Sequence, residues 1–227
     1  MRKVIVAILA LISSTAMAEP AGNWTGFYVG ANAGWLSADM KDGYFTNSPP
    51  GVDPFSPGRS DQAAAGFYGG YQFQSGNWVL GAESGFDAAL NEGYAARNID
   101  ATHCNVGSGT YTCEGRINNL FRAGARLGWT FERWLAYGTG GYARGLVQTR
   151  VFESATSHNN VATGYSDGWY LGGGIEFAVL NNLSFGVEYR HYDFGTFRLG
   201  NDVTSNRRQL SATADAVMAR LTIKLGP

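Results

Sequence analysis

Residues Trp24 to Trp35, WTGFYVGANAGW, separate into two sets when read at every second position. Phe27, Val29, Ala31, Ala33 and Trp35 are apolar, whereas Tyr28, Gly30, Asn32 and Gly34 are small or polar. A period of two predicts a β-strand with two different faces. The same alternation recurs in seven further segments, about Ala65–Gln74, Trp78–Ala89, Arg116–Trp129, Trp134–Arg150, Gly168–Val179, Leu183–Tyr192 and Ala216–Leu225. Taking the apolar set as one face throughout puts Ile117, Leu135, Tyr137, Thr139, Ala143 and Val147 on it. The other face then takes Tyr68, Tyr142, Arg144, Gln148, Tyr170 and most of the charge within the strands.

The connections alternate in length. Ser75-Gly76-Asn77, Glu132-Arg133 and Asn181-Asn182 are turn-forming stretches. The other four connections are long, about Ser37–Ala64, Leu90–Gly115, Val151–Asp167 and Asp193–Asp215. Trp24, Phe73, Trp78, Trp129, Phe131 and Trp134 fall at the short-turn end, and Trp35, Phe86 and Trp169 toward the loop end. Segments near the ~9–11 residues of a tilted membrane strand, an even strand count, short turns at one end and two aromatic rings predict an all-β fold. It is an eight-stranded antiparallel transmembrane β-barrel with short periplasmic turns and long outer loops. Closure satisfies every backbone donor and acceptor inside the bilayer, which an open sheet cannot do.

Composition agrees with many closely approaching strands: 32 Gly and 14% aromatics in 227 residues, with only 15% charge. The first residues supply a route out of the cytoplasm. Arg2 and Lys3 precede the apolar run Val4–Ile12, and Ala16-Met17-Ala18 has the small-x-small form of a cleavage site. That run is far shorter than the ~20 residues of a helical span. Residues 1–18 are therefore expected to be a signal peptide and residues 19–227 the barrel domain, exported to the outer membrane of a Gram-negative cell. Removing Arg2 and Lys3 from the 17 basic residues leaves 15 against 18 acidic ones, which is no footprint for nucleic acid.

With this parity, the inward face carries Glu83, Asp87, Arg122, Arg126, Arg144, Glu176, Glu188, Arg190, Arg220 and Lys224. An eight-stranded barrel is only wide enough for its side chains to fill it, so these charges are expected to pair into a plug. Glu83 is placed to meet Arg122 or Arg126, and Glu176 to meet Arg190. A narrow pore for small solutes is the competing reading, and it needs the same charges to line water. Cys104 and Cys113, the only cysteines, lie in the second long connection, and export makes a disulfide between them the expectation. Catalytic motifs are absent: GTGGYARG, Gly138–Gly145, lacks the Gly-Lys-Ser/Thr ending of a phosphate loop, and His191 with Asp193 has no serine beside it. No enzyme activity and no metal site are expected.

The stretches NWTGFYVGANAGW, GFYGGYQFQSGNWVLGAESGF, RAGARLGW, YGTGGYARG, GWYLGGGIEFAVLNNLSFGVEYRHYDFG and ARLTIKL resemble the small porin-like outer-membrane proteins of alphaproteobacteria. These are the RopB-type surface proteins and their haemin-binding relatives. The resemblance covers nearly all the strands in order and implies a role in envelope integrity and surface interaction. Implied partners are outer-membrane lipid and lipopolysaccharide, the barrel-assembly machinery, and host or extracellular ligands at the outer loops. It implies no resident cofactor. Were haem bound, His103 and His158 in the outer loops are the candidate ligands. Such chains usually finish on an aromatic residue, and this one runs on through Gly226 and Pro227.

Overall fold

Alternation of side chains along each segment, interrupted at short intervals by turn formers, folds into nine strands among the described residues. They are β1 (Gly26–Phe45), β2 (Val52–Ser75), β3 (Trp78–Ala89), β4 (Ala95–Ile99), β5 (Tyr111–Phe131), β6 (Trp134–Glu153), β7 (Asn159–Leu180), β8 (Leu183–Leu199) and β9 (Arg208–Leu225). The computed structural model describes residues 23–45, 52–91, 95–99, 111–153, 159–199 and 208–225. Eight strands close into an antiparallel barrel, because β1 pairs with β9 and β3 pairs across to β5. The short β4 lies outside the ring count. Among the described residues it pairs with the far end of β5, from Ala95 opposite Gly115 to Ile99 opposite Tyr111.

Two-residue turns join β2 to β3, β5 to β6 and β7 to β8. Gly76 and Glu132 take positive φ there, at 58° and 51°. Each turn is also tied sideways to the next strand. Thr130 N donates to Asn77 O at 2.8 Å, Ala178 N to Arg133 O at 2.9 Å, and Lys224 N to Asn182 O at 2.9 Å.

β3 has the predicted bounds, Trp78–Ala89, but the other ring strands are longer than the alternating cores predict. β1 has 20 residues and β2 has 24, about twice what a membrane crossing uses. Pairing of β1 with β2 continues from Gly26–Gln72 to Phe45–Val52. The expected loop Ser37–Ala64 is therefore mostly a ladder projecting beyond the membrane. The third and fourth connections are corrected in the same way, since β6 runs to Glu153, β7 starts at Asn159, β8 runs to Leu199 and β9 starts at Arg208. Backbone pairing, which continues without strict apolar alternation, sets the ladder's end.

The lipid face is apolar, as the alternation requires: Phe27, Trp35, Phe67, Phe73, Leu80, Leu127, Leu171, Ile175, Phe185 and Leu221 are exposed on the barrel's outside. Trp78 and Trp129 meet edge to face, Phe131 stacks beside Trp134, and Trp134 leans on Phe177, forming an aromatic girdle at the turn end.

Trp24 departs from its predicted place in that girdle. It is 6% exposed and packs inside the barrel with Val79, Leu135 and Tyr137. Its backbone N–H donates to Gln74 Oε1 at 2.8 Å, which draws the entering chain across the periplasmic mouth.

Two face assignments are also corrected. Ile117 is fully buried, not lipid-facing, because the pairing of β5 with β6 shifts register between Ile117 and Asn119. The extra residue, Asn118, is a bulge, and it exchanges the faces on its far side. On β6 the whole assignment inverts. Leu135, Tyr137, Thr139, Ala143 and Val147 are buried, while Tyr142 is 44% exposed. The cause is the tight turn. It sets Trp134 directly opposite Phe131, and facing residues share a side of the sheet. The even residues of β6 from Trp134 to Arg144 therefore point outward.

Candidate functional site

The interior is layered. At the periplasmic end Trp24, Val79, Leu135 and Tyr137 form a small apolar cluster. At the outer end Leu36, Met40, Ile117, Leu120, Tyr170 and Phe194 belong to a larger one. Between them lie eight buried charged side chains: Glu83, Asp87, Glu176 and Glu188 with Arg122, Arg126, Arg190 and Arg220. Four carboxylates and four guanidinium groups make this layer neutral.

Strand parity brings these side chains inward, and glycine makes room for them. Tyr28 faces Gly70 and Tyr68 faces Gly30 across the β1–β2 ladder. A Cβ on Gly70 would stand 2.7 Å from the Tyr28 hydroxyl, so the ring needs a neighbour without a side chain. Gly85 likewise yields space to the Arg122 guanidinium, 2.8 Å from where a Cβ would be.

Glu83 on β3 is one hub. It pairs with Arg122 at 2.5 Å and with Arg220 at 2.6 Å, and Arg126 lies 3.7 Å away. The Tyr28 hydroxyl donates to its Oε2 at 3.0 Å. Arg220 on β9 is the second hub. It joins Glu83, Glu188 and, at 3.5 Å, Glu176, so one guanidinium reaches acids on three other strands. Glu188 is further held by Arg190 and by the Tyr137 hydroxyl, which donates at 2.5 Å. Asp87 pairs with Arg190 at 2.8 Å. Glu176 takes Arg126 at 2.6 Å and the Ser184 hydroxyl at 3.1 Å. The guanidinium groups also lie over rings: Arg126 is 3.7 Å from the Tyr137 centroid and Arg220 is 3.8 Å from that of Tyr68.

The expected contact of Glu83 with Arg122 and Arg126 is present, but Glu176 does not meet Arg190. On neighbouring β7 and β8, Glu176 is in register with Gly186 and Arg190 with Gly172. That is four residues of offset, or ~13 Å along a strand. The narrow lumen lets both side chains reach across the barrel instead.

Of the ten predicted lumen charges, Lys224 keeps the inner face, opposite Tyr28, but lies outside the buried layer, and Arg144 lies on the other face. Lys224 sits at the periplasmic mouth, where its Nζ donates to Asn23 O at 3.1 Å. Arg144 is outside the barrel. Inversion of β6 points it to the outer membrane surface, 3.5 Å from Asp167, with its side chain 48% exposed. It stacks 4.7 Å from the Tyr165 ring, and Tyr142 donates its hydroxyl to the same Asp167. Tyr142 is thus no lumen residue, and Tyr137 takes that role. The signal for it was in the turn: counting from the Phe131–Trp134 pair, Tyr137 falls inside.

His191 also lies on the outer face. Its Nδ1 is 2.8 Å from Asp215, not beside Asp193, and Asp193 accepts from Gly195 N. His103, His158 and Cys104 lie outside the described residues, as do residues 1–18, Gly226 and Pro227. Cys113 stands on β5 opposite Val151 of β6 and Arg97 of β4. Among the described residues no three His, Cys, Asp or Glu side chains form a metal-holding group.

The profile of the outer membrane protein beta-barrel domain matches residues 5–215. The chain is 31% identical over 224 residues to the 31 kDa outer-membrane immunogenic protein of Brucella melitensis, covering 86% of this chain and 88% of that one. It is 28% identical over 196 residues to the 22 kDa outer membrane protein of Rhizobium leguminosarum, covering 82% and 76%. In fold it is similar to the Escherichia coli outer membrane protease OmpT, at TM-score 0.50 and 10% identity over 88% of this chain and 97% of that one. It is equally similar to Pseudomonas aeruginosa OprG, at TM-score 0.50 and 9% identity over 91% and 100%.

Proposed function

This chain belongs to the outer membrane protein beta-barrel domain family, and we propose that it serves there as a closed, non-conducting structural barrel that displays its outer hairpins at the cell surface. One observation carries the reading. The neutral layer of four acids and four arginines fills the lumen between two apolar clusters. An ion crossing this lumen would have to shed its water and break guanidinium–carboxylate pairs that are themselves desolvated. The long ladders, with β1 and β2 paired as far as Phe45 and Val52, lift the connecting segments away from the lipid. The Brucella relative is described as immunogenic, which supports the same display at the surface for this chain.

The finer assignments rest on the sequence. Export follows from the signal peptide ending at Ala18. The link to RopB-type and haemin-binding proteins follows from the strand motifs, and surface ligands would meet the outer connections that carry His103 and His158. Planar-bilayer recording on refolded protein tests the main reading. We expect no steady conductance from the wild type. Stable, long-lived channels would overturn the closed barrel.

A further inference from the structure

The periplasmic mouth of the barrel holds a cavity. Tyr28, Ser184 and Thr222 line its inner end, and their hydroxyls are engaged by Glu83, Glu176 and Tyr68 on the side of the charged layer. Four features of the chain assemble the rest. Gly26 takes φ of 139°, a value that favours glycine, where the chain enters β1, and Trp24 before it folds into the mouth. Gln72 is inward on β2, opposite Gly26. Lys224 is inward on β9, opposite Tyr28. Arg133 belongs to the turn between β5 and β6. All four of Trp24, Gln72, Arg133 and Lys224 line the cavity.

Two of these residues carry polar atoms that the protein leaves unmatched. Trp24 and Gln72 are 6% and 4% exposed, and neither Trp24 Nε1–H nor Gln72 Oε1 has a hydrogen-bond partner. Buried polar groups are almost always paired, because leaving one unmade forfeits its hydration. One is a donor and the other an acceptor, so an occupant that answers both must accept from the indole and donate to the amide.

Charge narrows the occupant further. Among the described residues Arg133 and Lys224 line the cavity and no carboxylate does. Arg133 donates to the carbonyls of Ala178 and Val179, at 3.4 and 3.3 Å, and makes no ion pair among the described residues. Neutral carbonyls orient this cation and leave its charge intact. The acids of the layer above are matched by its own four arginines, so the mouth is left electropositive and attracts an anion. The space admits roughly two waters, which is the size of a carboxylate group.

We propose that the periplasmic mouth binds the carboxyl end of an acylated amino acid or peptide. The carboxylate sits between Arg133 and Lys224 and accepts from Trp24 Nε1–H, and the amide N–H next to it donates to Gln72 Oε1. The remainder of the ligand stays in the periplasm. Soluble peptides and the peptides of the cell wall both end in this group. The site lies on one side of the charged layer and requires no passage through it.

The test uses full-length refolded protein in micelles with isotope-labelled tryptophan, followed by nuclear magnetic resonance. The Trp24 indole signal is identified by its loss in Trp24→Phe. Titration with N-acetylalanine should shift that signal saturably and leave those of Trp78, Trp129 and Trp134 in place. The carboxamide of the same probe lacks the charge, and N-acetyl-N-methylalanine lacks the N–H. The first should bind at least tenfold more weakly and the second at least threefold. Arg133→Gln and Lys224→Gln should each raise the dissociation constant at least threefold, and Gln72→Met should abolish the preference for the N–H probe over the N-methyl one. Each variant is first shown to keep the boiling-dependent gel shift of a folded barrel. Competition by digested cell-wall fragments would support the site and name the wall as its source, and competition by short soluble peptides alone would support it with a soluble source. No saturable shift with millimolar N-acetylalanine would overturn the proposal. So would equal affinity for the carboxamide, or binding unchanged in both charge variants, because water bridging Trp24 and Gln72 would then be the sole occupant.

Discussion

Arg220 shows how a single side chain sets the interior of this barrel. It is wholly buried and touches Glu83, Glu188 and Glu176. Removing one partner of a buried pair leaves the others charged and unsolvated, a cost of ~3–5 kcal/mol. Arg220→Ala should therefore lower the stability of refolded protein in urea titrations by about that amount. Arg144→Ala is the contrasting change. Arg144 and Asp167 are half-exposed, and an exposed pair contributes ~1 kcal/mol or less. Equal losses from the two substitutions would contradict the placement of one inside and the other outside. A milder change at the same scale is Tyr137→Phe. It removes the hydroxyl that donates to Glu188 but keeps the ring under Arg126, so it should cost about 1.5–3 kcal/mol, the usual worth of a hydrogen bond to a charged group.

At the scale of the strand, register decides which face a residue joins, and β6 is the strand to probe. Nitroxide labels placed singly from Trp134 to Arg144 should report high oxygen accessibility at even positions and low accessibility at odd ones. The opposite phase would restore the face assignment that apolar content alone suggests. Arginine substitution offers an independent check. Gly138→Arg and Ala125→Arg both place a charge in lipid near the midplane and should each cost ~2–4 kcal/mol. The bulge on β5 can be tested by deletion. Ile117 already faces Val147 and Asn119 faces Leu146, so without the extra Asn118 the ladder becomes regular, and Ile117, fully buried, should stay inaccessible to lipid-soluble quenchers.

For the molecule as a whole, closure and layering predict behaviour that no single strand has. The β3–β5 ladder from Trp78–Trp129 to Ala88–Asn119 completes the ring, so unboiled protein should migrate differently from boiled protein on gels. The protein should fractionate with the outer membrane, and the mature chain is expected to begin at Glu19. The expected Cys104–Cys113 bridge finds no support among the described residues, since Cys113 stands on β5 and Cys104 lies outside them.

The sequence by itself determined the eight strands of the ring, its closure and the character of the lipid face. Alternation at Phe27, Val29, Ala31, Ala33 and Trp35 is a local property, imposed by the two-residue period of a strand and the uniform demand of lipid for apolar groups. It also determined that Glu83, Arg122, Arg126, Glu176, Glu188, Arg190 and Arg220 point inward, since lipid rejects their charge. Tertiary structure decided what that rule leaves open. Both ends of the lumen carry apolar clusters, so an apolar set is no guide to the outside there, and β6 follows the Phe131–Trp134 turn instead. Trp24 is drawn inside by a mouth that only the closed ring creates. The partners of Glu176 are Arg126 and Arg220 and not Arg190, because contact across a narrow barrel depends on height and diameter, which no neighbour relation along the chain encodes.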